Sequence, residues 1–155
     1  MPKVFTGRVA IPAERFDEYL KRLAEAEKQR EPFRHALEEL LEDFRLNLSE
    51  RYSERTVNKH GWIIEMFIEF LSRQTDVERL EDVTRGIVNT HFRQWYKRKV
   101  MDSSTVNDLR VALRKFFQFL AAEKGIQNSK VLDALKQRPV HDRVLRVGRL
   151  PPIPP

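Results

Sequence analysis

Cysteine is absent from the chain, which excludes a disulfide framework and any thiolate metal site. No apolar run approaches the ~20 residues that a membrane helix requires. The opening stretch, MPKVFTGRVAIPAERF, lacks the long apolar core of a secretory signal. There is no His-Glu-x-x-His, no phosphate-binding loop and no dinucleotide glycine fingerprint. The four histidines, His35, His60, His91 and His141, are scattered. No metal and no cofactor is therefore expected, and the protein reads as soluble and cytoplasmic, with no membrane partner.

Glycine is scarce too, at five residues, while charged residues make up 34% and hydrophobic residues 41% of 155. That balance favours helices with solvated outer faces around a real core, and it argues against global disorder. The net charge is +6 and the isoelectric point is near 9.8. A basic surface attracts polyanions, and nucleic acid is the most abundant polyanion in a cell.

Apolar spacing predicts helices throughout. Phe16, Tyr19, Leu20 and Leu23 share a stripe within residues 13–31, expected to pack on the molecule's own bundle. Pro32 then either kinks that helix or begins the next, and a second helix is expected from about Phe33 to Leu48 on Leu37, Leu40, Leu41, Phe44 and Leu48. Ser53 caps a third, roughly 54–73, with Val57, Ile64, Phe67, Ile68 and Leu71 inward. Gly61 inside it implies the close passage of a neighbour. Leu80 and Val83 anchor a polar connection. Thr84 caps a fourth helix, about 85–99, burying Val88, Phe92 and Trp95. The fifth, about 104–124, has the cleanest stripe: Val106, Leu109, Leu113, Phe116 and Leu120, with Phe117 beside it and Gly125 as the stop. A short helix over about 129–136 follows. Residues 138–155 hold Arg138, Arg143, Arg146 and Arg149 among five prolines and read as an extended arm or linker.

On the fifth helix, Asn107, Arg110, Arg114 and Gln118 share the sector beside the apolar stripe. Arginine can fork to phosphate or guanine, and Asn or Gln can pair with adenine. Ser103, Ser104 and Thr105 sit at the helix N-terminus, where backbone N–H groups favour a phosphate. A solvated face with an ordinary Ser/Thr cap accounts for the same residues. Arg55, Thr56, Asn58 and Lys59 in the first turns of the third helix carry the same two readings. Trp95-Tyr96-Lys97-Arg98-Lys99 reads as a helix end whose cations offset the dipole, and His60 as a packing residue.

Three segments resemble the core-binding, SAM-like domain of tyrosine recombinases and phage integrases. They are LEELLEDFRLNLSERYSERTVNKHGWIIEMFIEFL (37–71), LEDVTRGIVNTHFRQWYKRK (80–99) and SSTVNDLRVALRKFFQFLAAEKGI (103–126). Ser104-Thr105-Val106-Asn107 sits one residue tighter than the family's Ser-x-x-Thr. Gly86 and Ile87 replace acidic residues often found there. The resemblance implies an all-α, SAM-like orthogonal bundle of four core helices over 32–137, with an N-terminal extension bearing one helix (1–31) and a basic tail (138–155). It implies half of a clamp around double-stranded DNA, with the third and fifth helices toward the major groove. The DNA-binding candidates are then Arg55, Thr56, Lys59, Ser104, Thr105, Asn107, Arg110, Arg114 and Gln118.

Strand transfer in that family needs a tyrosine nucleophile and a set of Arg, Lys and His groups. No His-x-x-Arg motif is present, and no tyrosine follows Tyr96. The expectation is a DNA-binding portion without its own catalytic site, nucleoid-associated. Its further partners would be a catalytic recombinase domain or other recombinase subunits. The alternatives are a helical protein-binding adaptor or a non-cutting regulator of recombination.

Overall fold

The computed structural model describes residues 2–4 and 12–136. Among these, the architecture is all-α, with five helices and no strand beyond an isolated bridge between Val4 and Thr75. The helices are α1 (Phe16–Ser49), α2 (Glu54–Gln74), α3 (Phe92–Lys99), α4 (Val106–Glu123) and α5 (Ser129–Lys136). A π turn, Ile87–His91, leads directly into α3. Together these elements form the SAM-like bundle anticipated from the sequence. The basic tail lies outside the described residues.

The first two expected helices are one. α1 runs 34 residues with Pro32 inside it. Proline removes the donor that the Lys28 carbonyl would use and normally breaks or kinks a helix. Here tertiary contacts hold the chain on both sides of it. Arg30 donates to the Leu71 carbonyl at 2.9 Å and the Ser72 carbonyl at 3.3 Å. Arg34 bonds Glu69 and reaches the Ser72 hydroxyl at 3.3 Å. Two guanidinium groups therefore grip the C-terminal end of α2, where cations are favoured.

Beyond that grip α1 overhangs the bundle. Phe16, Leu20 and Leu23 are exposed, so the stripe expected to pack internally does not. The reason is geometric: α2 ends level with Arg30 and Arg34 of α1. The second half of α1 behaves as expected, with Leu37, Leu41, Phe44 and Leu48 buried against the other helices.

The core is aromatic. Phe44 meets Phe116 edge-on at 5.2 Å, Phe67 meets Phe92 at 5.0 Å, and Phe70 lies 5.5 Å from Trp95. Phe67 also reaches Phe117 at 6.1 Å. α1, α2, α3 and α4 thus share one apolar interior, and each such ring pair adds about 0.5–1.5 kcal/mol beyond its buried area.

Caps fall where short polar side chains stand. The Ser53 hydroxyl accepts from the Thr56 N–H. Thr105 and Asp108 form a reciprocal capping box at α4, so the cap is Thr105 and not Ser103. Gly125, at φ +66°, supplies the left-handed residue that closes α4. Gly61 has the close neighbour its position implied: a Cβ there would stand 2.7 Å from Cζ of Arg45 on α1.

α5 is fixed at both ends. The Asn128 side-chain amide donates to the carbonyls of Leu80 (3.0 Å) and Val83 (2.9 Å), while its oxygen accepts from the Val131 N–H at 3.2 Å. At the other end the Leu135 carbonyl accepts from Arg110.

Candidate nucleic-acid interface

The N-terminal half of α2 is joined to α4 and to the loop before it by polar contacts from Lys59, His60 and Trp62. Lys59 Nζ lies 3.0 Å from Asp108 Oδ1. The Lys115 ammonium lies 3.3 Å from His60 Nε2 and 4.0 Å from the centre of the Tyr52 ring. The Trp62 indole N–H donates to Asp102 Oδ2 at 3.3 Å. α2 is therefore pinned to the first turn of α4, to its middle and to the loop before it.

Asp108 is central to the first of these contacts. Its carboxylate accepts the Thr105 N–H at 2.8 Å, and its own N–H donates to the Thr105 hydroxyl at 3.1 Å. Burial opposes its charge, but the Thr105 N–H, the Lys59 ammonium and the Thr105 hydroxyl outweigh burial and hold its pKa below the ordinary value. A carboxylate at a helix N-terminus facing a lysine occupies the electrostatic position that a phosphate takes in a nucleic-acid complex.

Asp102 gathers the loop between α3 and α4. Its Oδ1 accepts the Ser104 N–H at 2.9 Å, and its Oδ2 accepts the Tyr96 hydroxyl as well as the Trp62 indole. Burial, and then the neighbouring Asp102, push the Tyr96 hydroxyl up to about 12, so it stays a donor. Ser104 Oγ lies 3.4 Å from that hydroxyl.

Lys59, Ser104 and Thr105 are thus brought together. Arg55 is exposed on the first turn of α2, and Thr56 is half-buried with its hydroxyl accepting from Ser53 at 3.2 Å. Asn107 is exposed, and its oxygen accepts from Arg110 Nε at 3.1 Å and Nη2 at 2.9 Å. Arg114 is half-buried, with a buried Nε that has no partner. Gln118 is exposed at the far end of the ladder, beside Tyr52 and Lys115.

Arg110 departs from the expected outward ladder. It is 9% exposed, and its Nη1 donates to the Leu135 carbonyl at 2.8 Å. α5 packs over the flank of α4 that the helical wheel left open. The buried charge is tolerated because it meets the carbonyl end of α5 and the Asn107 amide. Arg110 is occupied inside the protein, not presented on its surface.

Residues 37–124 match the family model of the phage integrase N-terminal SAM-like domain. The chain belongs to this family. Membership implies DNA binding in recombination, through the non-catalytic domain of an integrase. No curated protein and no solved structure gives a significant match.

In this SAM-like domain, sequence reasoning missed Trp62, Asp102 and Asp108. Trp62 is 42% exposed and lies off the apolar stripe of α2, and that mismatch was the available signal. Nothing local marks Asp102, because its partners Trp62 and Tyr96 are distant in sequence. Asp108 was visible as the acid three residues after Thr105. His60 is buried, and its pKa falls to about 4, first from burial and then from Lys115 and Lys59. Among the described residues, no group of three or more His, Asp or Glu is placed to hold a metal. No helix there is long and apolar enough to cross a membrane.

Proposed function

We propose that the chain is the core-binding module of a tyrosine site-specific recombinase. It grips double-stranded DNA with the N-terminal halves of α2 and α4 and leaves strand cleavage to a separate catalytic unit. The observation that carries this reading is the Lys59–Asp108 contact. It brings the cationic start of α2 beside the hydroxyl-rich start of α4, so one duplex backbone can meet both. Arg55, Thr56, Lys59, Ser104, Thr105, Asn107, Arg114 and Gln118 form the proposed surface. Arg110 supports it from beneath by fixing the Asn107 amide. The tail arginines at 138, 143, 146 and 149 supply further charge for phosphates.

The test is binding to a duplex across a salt series. Affinity should fall steeply with salt, in proportion to phosphates neutralised. The Arg55→Ala, Lys59→Ala double variant should fold normally and lose about tenfold in affinity at low salt, with a shallower salt slope. Salt-independent binding, or an unchanged double variant, overturns the assignment.

A second reading, a protein-binding adaptor, is favoured by one feature. Phe16, Leu20 and Leu23 stand exposed on the α1 overhang. Such a contact is compatible with DNA binding at the other end of the bundle.

A further inference from the structure

Met101 is the single non-glycine residue with positive φ among the described residues, at +54°. It stands just after Val100, the C-cap of α3, at a position where helices commonly place glycine because a side chain there costs free energy. Its side chain is 83% exposed, so packing does not repay that cost. Three cations, Lys97, Arg98 and Lys99, precede it, all exposed. The next residue, Asp102, holds the loop rigidly through Ser104, Tyr96 and Trp62. An apolar, polarisable side chain is thus kept in water, on strained backbone, beside positive charge.

We infer that Met101 is a specificity-determining residue that packs against the 5-methyl group of thymine in bound DNA. This rests on the DNA-binding reading above. The argument is chemical. The thymine methyl is the apolar feature of the major-groove base edges, and an exposed thioether chain is matched to it. The adjoining cations suit the phosphates that flank such a groove. Val100, between the cations and Met101, packs against the core, and the exposed Lys97, Arg98 and Lys99 beyond it favour a polyanion over an apolar protein face. The same loop borders a cleft of ≈ 370 Å³ between α3 and the start of α4, and the methionine is one of the residues that line it.

The experiment compares an alternating dA–dT duplex with the same duplex carrying deoxyuridine in place of thymidine, which removes only the methyl. Anisotropy titrations at matched salt would use the parent, Met101→Ala and Met101→Gly. The parent should prefer the thymine duplex by about fourfold, the size expected for burying one methyl-sized group. Both variants should bind the two duplexes equally, with the parent's salt slope. Met101→Gly should also melt no lower than the parent, because glycine relieves the strained backbone while the reading is lost. Equal affinity of the parent for both duplexes, or a preference retained by Met101→Gly, overturns the inference and leaves the DNA-binding reading standing. Absence of salt-dependent binding to either duplex sinks both.

Discussion

Arg110 of α4 donates to the carbonyl of Leu135, 25 residues away in α5, at 2.8 Å, and with its remaining nitrogens it holds the Asn107 amide. One buried guanidinium thereby joins the proposed DNA-facing side of α4 to the last helix.

Arg110→Ala should therefore act on stability before binding. It leaves the Leu135 carbonyl without its side-chain partner and opens a cavity beneath α5. The expected loss is about 2–3 kcal/mol in urea unfolding, since hydrogen bonds to a charged group are involved. Duplex affinity, measured where the variant is fully folded, should fall by less than about threefold. A stable variant with a large binding loss would return Arg110 to the surface.

Asp108→Asn should move the two properties in opposite directions. The variant keeps an oxygen for the Thr105 N–H but loses the charge opposite Lys59. Stability should fall by about 0.5–1 kcal/mol, while duplex affinity at low salt rises about two- to fivefold, with one more counterion in the salt slope. Because the folded carboxyl titrates below its ordinary value, its stabilisation is present above the unfolded value and is lost as pH falls through the folded one. The parent should show that acid loss and the variant should not.

His60 makes a separate pH prediction. Its folded pKa of about 4 lies under the ordinary 6.5. Between those values the unfolded chain binds a proton that the folded chain refuses, so stability rises with pH. The parent should lose on the order of 2 kcal/mol in unfolding free energy from pH 7 to pH 5. His60→Phe should flatten that dependence. An equally steep profile in the variant would place the titration elsewhere.

Gly61→Ala should stabilise the fold despite the close approach. The new Cβ meets the end of the Arg45 side chain, which is half-exposed and pairs with Glu65 at 3.3 Å. That end can swing away at the cost of a weak surface pair, and alanine gains about 1 kcal/mol of helix propensity. A net rise of roughly 0.5 kcal/mol is expected from thermal melting. Gly61→Leu, too large for the gap, should destabilise.

Much of the fold was legible because the apolar periodicity is strong. Val57, Ile64, Phe67, Ile68 and Leu71 were read as inward, and all are buried. α5 emerged with the expected boundaries. What failed depends on long-range packing. Pro32 is a local breaker, and only the grip of Arg30 and Arg34 on α2 carries the helix through it. The wheel gave Arg110 a polar sector but could not tell that α5 would cover it. At the candidate site, Thr105 and Lys59 were legible as residue types. Their juxtaposition was not, because it runs through Asp108 from a different helix.

The overhang of α1 sets how far its exposed end reaches. From Arg30, where α2 ends, to Phe16 the rod rises about 21 Å, more than the ~12 Å width of a major groove. The tip of α1 therefore projects past the two arginines that clasp α2, whereas the duplex is proposed to meet that helix at its opposite end.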